Sequence, residues 1–291
     1  IESNNYKIIS DNAYGLYTNM FSGVDSALKQ LQIKKITIVP DGPLFFFPFE
    51  SMVRTPPKAG DNFSSLDYLI KSYEVNYLYA ASLIITQDQS KSTAPKDYIA
   101  IAPVFSEKNE VAQTRNVVFK SEIFGKKKRS FLADGTYLNP LPGTLEEVDS
   151  VSKHLVTKGQ KCTILKFNMA NEKNIKEANL GDYKIIHFAT HGFVNEDRPN
   201  LSGLILAQNG DTEDNILFAS EIYNLSLNAD LVALSACQTG LGTVSEGEGL
   251  IGLSRGFMYA GAKNLLVSLW PVSDEGTSTL MVDFFSESNK T

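Results

Sequence analysis

LVALSACQTG, residues 231–240, decides how this chain is read. Four apolar residues, Leu231 to Leu234, run almost unbroken to a cysteine, and glycines follow at 240 and 242. A second stretch, IIHFATHG (185–192), has the same design and ends at His191–Gly192. Such runs are too uniformly apolar for a sheet with one wet face, and they suit strands buried on both sides. Four strand-like segments occupy the second half: Lys161–Leu165, Lys184–Ala189, Asp230–Ser235 and Asn264–Leu269. Helical stretches around 171–178, 218–224 and 249–260 separate them. That alternation predicts an α/β fold, a mostly parallel central sheet covered by helices on both faces.

Parallel sheets bind ligands beyond the carboxyl ends of their strands. If the strands ending at His191 and Cys237 run the same way, both side chains emerge on one edge. A thiol with an ordinary pKa is only a few per cent thiolate at neutral pH, and a neighbouring imidazole can take its proton during attack. The same histidine can return that proton to a leaving amine. Backbone N–H groups of Gly192 and Cys237 are then candidates for the oxyanion hole. The other histidines and the second cysteine have plainer readings. Cys162 sits inside an alternating strand and reads as core, His154 lies on a charged helix surface, and His187 reads as a core histidine. A zinc site from His187, His191 and Cys237 stays open as an alternative, although Phe188 stands where an HExxH helix needs its glutamate. Gly247-Glu-Gly-Leu-Ile-Gly252 matches GxGxxG, but no strand leads into it, so it reads as a loop opening a helix.

The first half is less regular. Asn12–Leu31 has helical spacing, and Ile36–Pro40 reads as a strand. Phe45–Glu50 reads as buried, with Pro48 opening a short helix. Tyr68–Ile70 and Val75–Leu78 read as a strand pair, a short helix starts at Ala81, and Tyr98–Ala102 completes this half as a strand. Residues 105–140 form an irregular linker whose basic run GKKKRS (125–130) reads as solvated surface and an easy site for nicking. Thr144-Leu-Glu-Glu147 matches a capping box, followed by an apolar stripe of Leu145, Val148, Val151 and Leu155. Ser273 reads as the cap of a final helix.

The 291 residues are 43% hydrophobic and 21% charged, as in ordinary globular chains, and the net charge of −6 argues against a nucleic-acid binder. No apolar run approaches the ~20 residues that span a bilayer. Two cysteines cannot make a disulfide framework, which favours a reducing, cytoplasmic setting. The start at Ile1 rather than methionine reads as a domain excised from a larger protein.

Together these residues resemble the CHAT family of caspase-like cysteine peptidases, the clan of caspases and separase. The resemblance rests on HFATHGF (187–193), LSACQTGLG (234–242), GEGLIGLSRGFMYAGA (247–262) and LLVSLWPVSDEGT (265–277). TIVPDG (37–42), PFE (48–50) and LPGTLEE (141–147) extend it toward the N-terminus. His191 precedes Cys237 by 46 residues, close to the separation of about 50 in caspases.

The resemblance implies a caspase-like α/β/α sandwich over 141–291, preceded by a degenerate companion subdomain over 1–104. It implies a cysteine endopeptidase with Cys237 as nucleophile and His191 as general acid/base, acting through a thioester, with no cofactor or metal. Trp270 and Asp274 would border the substrate channel. Glu246, Glu248 and Asp274 would accept a basic side chain, although Ser235 stands where basic-specific relatives carry aspartate. The partners implied are a protein or peptide substrate and a regulatory partner or fused tetratricopeptide repeats, in a larger bacterial protein. Neither membrane nor directly bound nucleic acid is expected. The competing reading is a catalytically silent, peptide-binding pseudoprotease.

Overall fold

In a computed structural model of the protein, the described residues are 3–86, 91–103, 141–193, 195, 198–207, 215–235, 248–269 and 272–288. Two compact units divide the chain, Ile1–Gln87 and Asp88–Thr291. The linker expected over 105–140 lies outside the described residues, its basic run included.

The first unit opens with α1 (Ser3–Leu16), a single π turn (Tyr17–Phe21) and α2 (Ser22–Gln30). The expected helix therefore begins earlier and carries a local widening in its middle. Strand β1 (Lys35–Ile38) pairs in parallel with β2 (Glu74–Tyr77), and α3 (Leu83–Thr86) follows. Two expectations fail here. Tyr68–Ile70 is not a strand; Leu69–Lys71 form a 3-10 turn, with Tyr68 making one isolated bridge to Val53. Within Phe45–Glu50 only Phe49 is buried, joining Tyr17, Phe21, Ile36, Met52, Leu69 and Tyr73 in the core of this unit. Inside that core Asp25, 1% exposed, accepts hydrogen bonds from the hydroxyls of Tyr17 and Tyr73, both at 2.5 Å, and pairs with Lys29 at 2.6 Å. Its own burial, reinforced by the Asp25 carboxylate, pushes the Tyr73 phenol up to about 12.

The second unit contains β3 (Lys96–Ala102), α4 (Pro142–Thr157), β4 (Cys162–Lys166), α5 (Glu172–Glu177) and β5 (Tyr183–Phe188). Next come the short strands β6 (Gly192–Phe193), β7 (Gly203–Ile205) and β8 (Ile216–Phe218), then α6 (Ala219–Ile222) and β9 (Leu231–Leu234). Helix α7 (Glu248–Tyr259), β10 (Leu265–Val267) and α8 (Asp274–Glu287) complete it. Five strands form one all-parallel sheet in the order β10-β9-β5-β3-β4. Strand β3, which the sequence pattern groups with the N-terminal half, is interior to this sheet, between β5 and β4.

Period-2 alternation divides the strand side chains between the two faces. Ile99, Ile101, Ile186, Phe188, Val232 and Leu234 pack on one side with Ile175, Ile222, Leu253 and Phe257 from α5, α6 and α7. Tyr98, Ala100, Ala102 and Ala233 pack on the other with Val148, Val151 and Leu155 of α4 and Met281 and Phe285 of α8. The result is three layers, α/β/α. Each fully buried aliphatic or aromatic side chain contributes about 1.5–3 kcal/mol, so this two-faced core dominates the stability of the unit.

Helix α4 corrects the expected capping box. The helix already starts at Pro142, where a proline suits the first turn, and Leu141 is its cap residue without a side-chain bond. Thr144 and Glu147 thus lie inside the helix and are 3% and 2% exposed. Ser273 does cap α8, its hydroxyl accepting from the Gly276 N–H at 3.0 Å. The antiparallel β6-β7-β8 sheet has no counterpart in the sequence reading, because strands of two or three residues are too short for alternation to register.

Candidate active site

A helix that follows a strand in a parallel sheet starts at the strand's carboxyl end, so the ends of β5 and β9 share an edge with the first turn of α8. Beyond β5 the chain is pinned residue by residue. Ala189 N–H donates to the Ile101 carbonyl at 2.9 Å, the Thr190 hydroxyl donates to the Ile205 carbonyl, and the His191 carbonyl accepts from Ile205 N–H at 2.8 Å. Gly192 then enters β6, opposite Leu204. Beyond β9, Ser235 N–H donates to the Phe188 carbonyl at 3.0 Å. His191 is wholly buried, at 0% exposure.

The register pairs Phe188 with Leu234. His191 stands three residues past the first and Cys237 three past the second. Cys237 itself lies outside the described residues, as do Glu246 and Trp270. Glu248 is the first residue of α7, and its side chain is also outside the description. Asp274 is described and has another engagement. Its Oδ2 accepts from Gly143 N–H at 2.7 Å, and the Ser278 hydroxyl donates to the Gly143 carbonyl at 3.1 Å. Burial raises the Asp274 carboxyl above its ordinary range, opposed by that backbone donor. The residue joins the first turns of α4 and α8 through one of its two carboxylate oxygens.

Directly beneath the edge is a polar cluster that sequence reasoning missed. His187 of β5 is 0% exposed. Its Nδ1 shares a hydrogen bond with the Tyr98 hydroxyl at 2.7 Å, and its Nε2 meets Ser235 Oγ at 3.3 Å. The Glu147 Oε1 lies 2.8 Å from the same Nε2 but off the line of a hydrogen bond. The Phe285 ring covers the imidazole, with centroids 5.4 Å apart. Burial, reinforced by the Glu147 carboxylate, holds the Tyr98 phenol far above its ordinary pKa, so Tyr98 keeps its proton. A neutral imidazole that accepts this proton donor at Nδ1 carries its own proton on Nε2, facing Ser235.

Ser235, expected in the substrate pocket, is 8% exposed with its hydroxyl turned inward to His187. The engagement of both His187 nitrogens argues against the zinc alternative. One signal of the cluster was present in the sequence. Glu147 precedes Val151 by one helical turn, which puts a carboxylate on the apolar stripe of α4. Cys162 packs half-buried against the α4–α8 side of the sheet, as expected of a core thiol. Among the described residues no helix is long and apolar enough to cross a membrane.

The model of the CHAT domain matches residues 11–291. Tetratricopeptide repeat protein 28 of mouse is 25% identical over 293 aligned residues, covering 87% of this chain and 10% of that protein. The human protein of the same name is 25% identical over 290 residues, with the same coverage of each chain. The chain thus spans about a tenth of the length of these curated relatives. A solved flavodoxin of Streptococcus pneumonia TIGR4 overlays 52% of this chain and 92% of its own, at 18% identity and a TM-score of 0.30, too loose a match to bear on function.

Proposed function

The chain belongs to the CHAT-domain family, and from that premise we propose that it is a cysteine endopeptidase acting through His191 and Cys237. One observation carries the reading. Parallel strands β5 and β9 pair Phe188 with Leu234, and the two reactive residues follow that pair at equal distance along the chain. Equal offsets on adjacent parallel strands favour a thiol and an imidazole on one edge, and ligands meet parallel sheets on that edge.

In the proposed reaction the Cys237 sulfur attacks the scissile carbonyl carbon while His191 takes the thiol proton. The N–H groups of Gly192 and Cys237 stabilise the oxyanion. Collapse of the tetrahedral species breaks the C–N bond, His191 protonates the departing amine, and a thioester remains. Water, deprotonated by His191, then hydrolyses the thioester to release the acid and the free thiol. Glu246 and Glu248 are proposed as acceptors of a basic substrate side chain, with Trp270 along the channel. Asp274 is proposed beside them at the channel border, its Oδ2 held by the Gly143 N–H. The tetratricopeptide-repeat relatives support a setting in which repeats or a partner control the site.

A second reading, a peptide-binding module without catalysis, draws on the complete burial of His191. Cleavage of a diverse peptide library by the wild-type chain, abolished in Cys237→Ala and His191→Ala, supports the peptidase. Binding of peptides without cleavage by any of the three supports the module.

A further inference from the structure

We infer that His187 is a positioning residue which, braced by Tyr98 and Glu147, fixes the Ser235 hydroxyl and with it the end of β9 that leads to Cys237. The inference rests on the peptidase reading for its purpose but on described residues for its geometry.

Four elements meet at this imidazole. Tyr98 comes from β3, Glu147 from α4, His187 from β5 and Ser235 from the end of β9. All four side chains are at most 8% exposed. Burying a carboxylate, an imidazole, a phenol and a hydroxyl together is costly compared with an apolar core of equal volume. The Glu147 Oε1 even lacks an aligned donor among the described residues. An arrangement that stability does not favour is accounted for by the geometry it imposes.

That geometry is specific. The Ser235 backbone is tied to β5 by its N–H to the Phe188 carbonyl, and its side chain is tied to β5 again through His187. Two ties on one residue fix both the height and the rotation of the strand end. The next residue but one in sequence is Cys237. Loss of the second tie leaves the fold in place but frees rotation about the first. A small misplacement of a reacting group costs up to about 100-fold in rate.

The test uses the whole chain in a Cys162→Ala background, so that alkylation reports on Cys237 alone. Ser235→Ala removes one oxygen; Ser235→Thr restores the hydroxyl. His187→Gln keeps an N–H donor near the Nε2 position, whereas His187→Leu keeps none. Peptide cleavage should show kcat about 10-fold lower or more in Ser235→Ala, with KM within about 2-fold of the parent and with most of the loss recovered in Ser235→Thr. His187→Gln should retain more activity than His187→Leu. Should His187→Leu fail to fold by circular dichroism, the two Ser235 variants carry the test.

An unchanged kcat in Ser235→Ala overturns the inference. So does a raised KM with kcat intact, which would return Ser235 to the substrate pocket. If the parent chain cleaves no peptide, the peptidase reading fails separately, and the pH profile of Cys237 alkylation by iodoacetamide decides the positioning role. A higher midpoint in Ser235→Ala than in the parent supports it. An identical profile, or a thiol unreactive in both, overturns it.

Discussion

Replacing Glu172 by glutamine should change how the stability of this protein depends on pH. Glu172 is 1% exposed at the start of α5. Its Oε1 is 2.6 Å from Lys176 Nζ, which also lies 3.4 Å from Glu221. Its Oε2 accepts from Asn215 N–H at 3.2 Å, just before β8 begins. Burial pushes this carboxyl from 4.5 up to about 7, Glu221 adds repulsion, and Lys176 opposes both. The folded chain therefore holds the proton more tightly than the unfolded chain. The resulting stability is fully present below about pH 4.5 and is lost as pH rises through about 7.

At ~1.4 kcal/mol per pKa unit the full difference is about 3.5 kcal/mol. Lys176 is 41% exposed and admits water to the cluster, so about 1–3 kcal/mol is the expected loss. Glu172→Gln has no proton to lose and keeps an acceptor for Asn215. Urea unfolding between about pH 5 and about pH 8 should show the variant gaining about 1–3 kcal/mol on the wild type as pH rises. A difference constant to within about 0.5 kcal/mol over that interval, the ordinary spread of a surface substitution, refutes the reasoning.

Gly143→Ala should destabilise the chain by about 1–3 kcal/mol, because a Cβ there would lie 2.8 Å from Asp274 Oδ2; an unchanged thermal transition contradicts this. Ser273→Ala should cost about 1 kcal/mol through loss of the α8 cap, read from the same melting curves. Iodoacetamide should label Cys237 faster than Cys162, whose thiol is pushed up in pKa by burial. Peptide mapping that finds Cys162 labelled first would reverse their roles.

The parallel sheet was legible because strands covered on both faces must be apolar throughout. The runs ending near Phe188 and Leu234 carry that mark without any knowledge of their partners. Ser273 was legible for a local reason, a hydroxyl three residues before a free helical N–H. The same kind of pattern misled at Thr144 and Glu147. A capping box and a buried stripe differ only in where the helix starts, and Pro142 starts it one turn early. The parallel pairing of β1 with β2, and the inclusion of β3 in the large sheet, depend on contacts distant in sequence. No local periodicity reports such contacts. Of the candidate site, the place of His191 just past the end of β5 was legible, while the Tyr98–His187–Ser235 chain was not. Each of its members alone is an ordinary core or strand-end residue.

The proposed peptidase stands or falls on a Cys237 thiol that acts as a nucleophile served by His191. Its most direct measurement is intact-mass spectrometry with peptide mapping after exposure to a peptidyl acyloxymethyl ketone, which alkylates a thiol with release of carboxylate. One adduct, on Cys237, should form quickly in the wild type, slowly in His191→Ala and not at all in Cys237→Ala. An adduct on Cys162, or equal rates with and without His191, would contradict it.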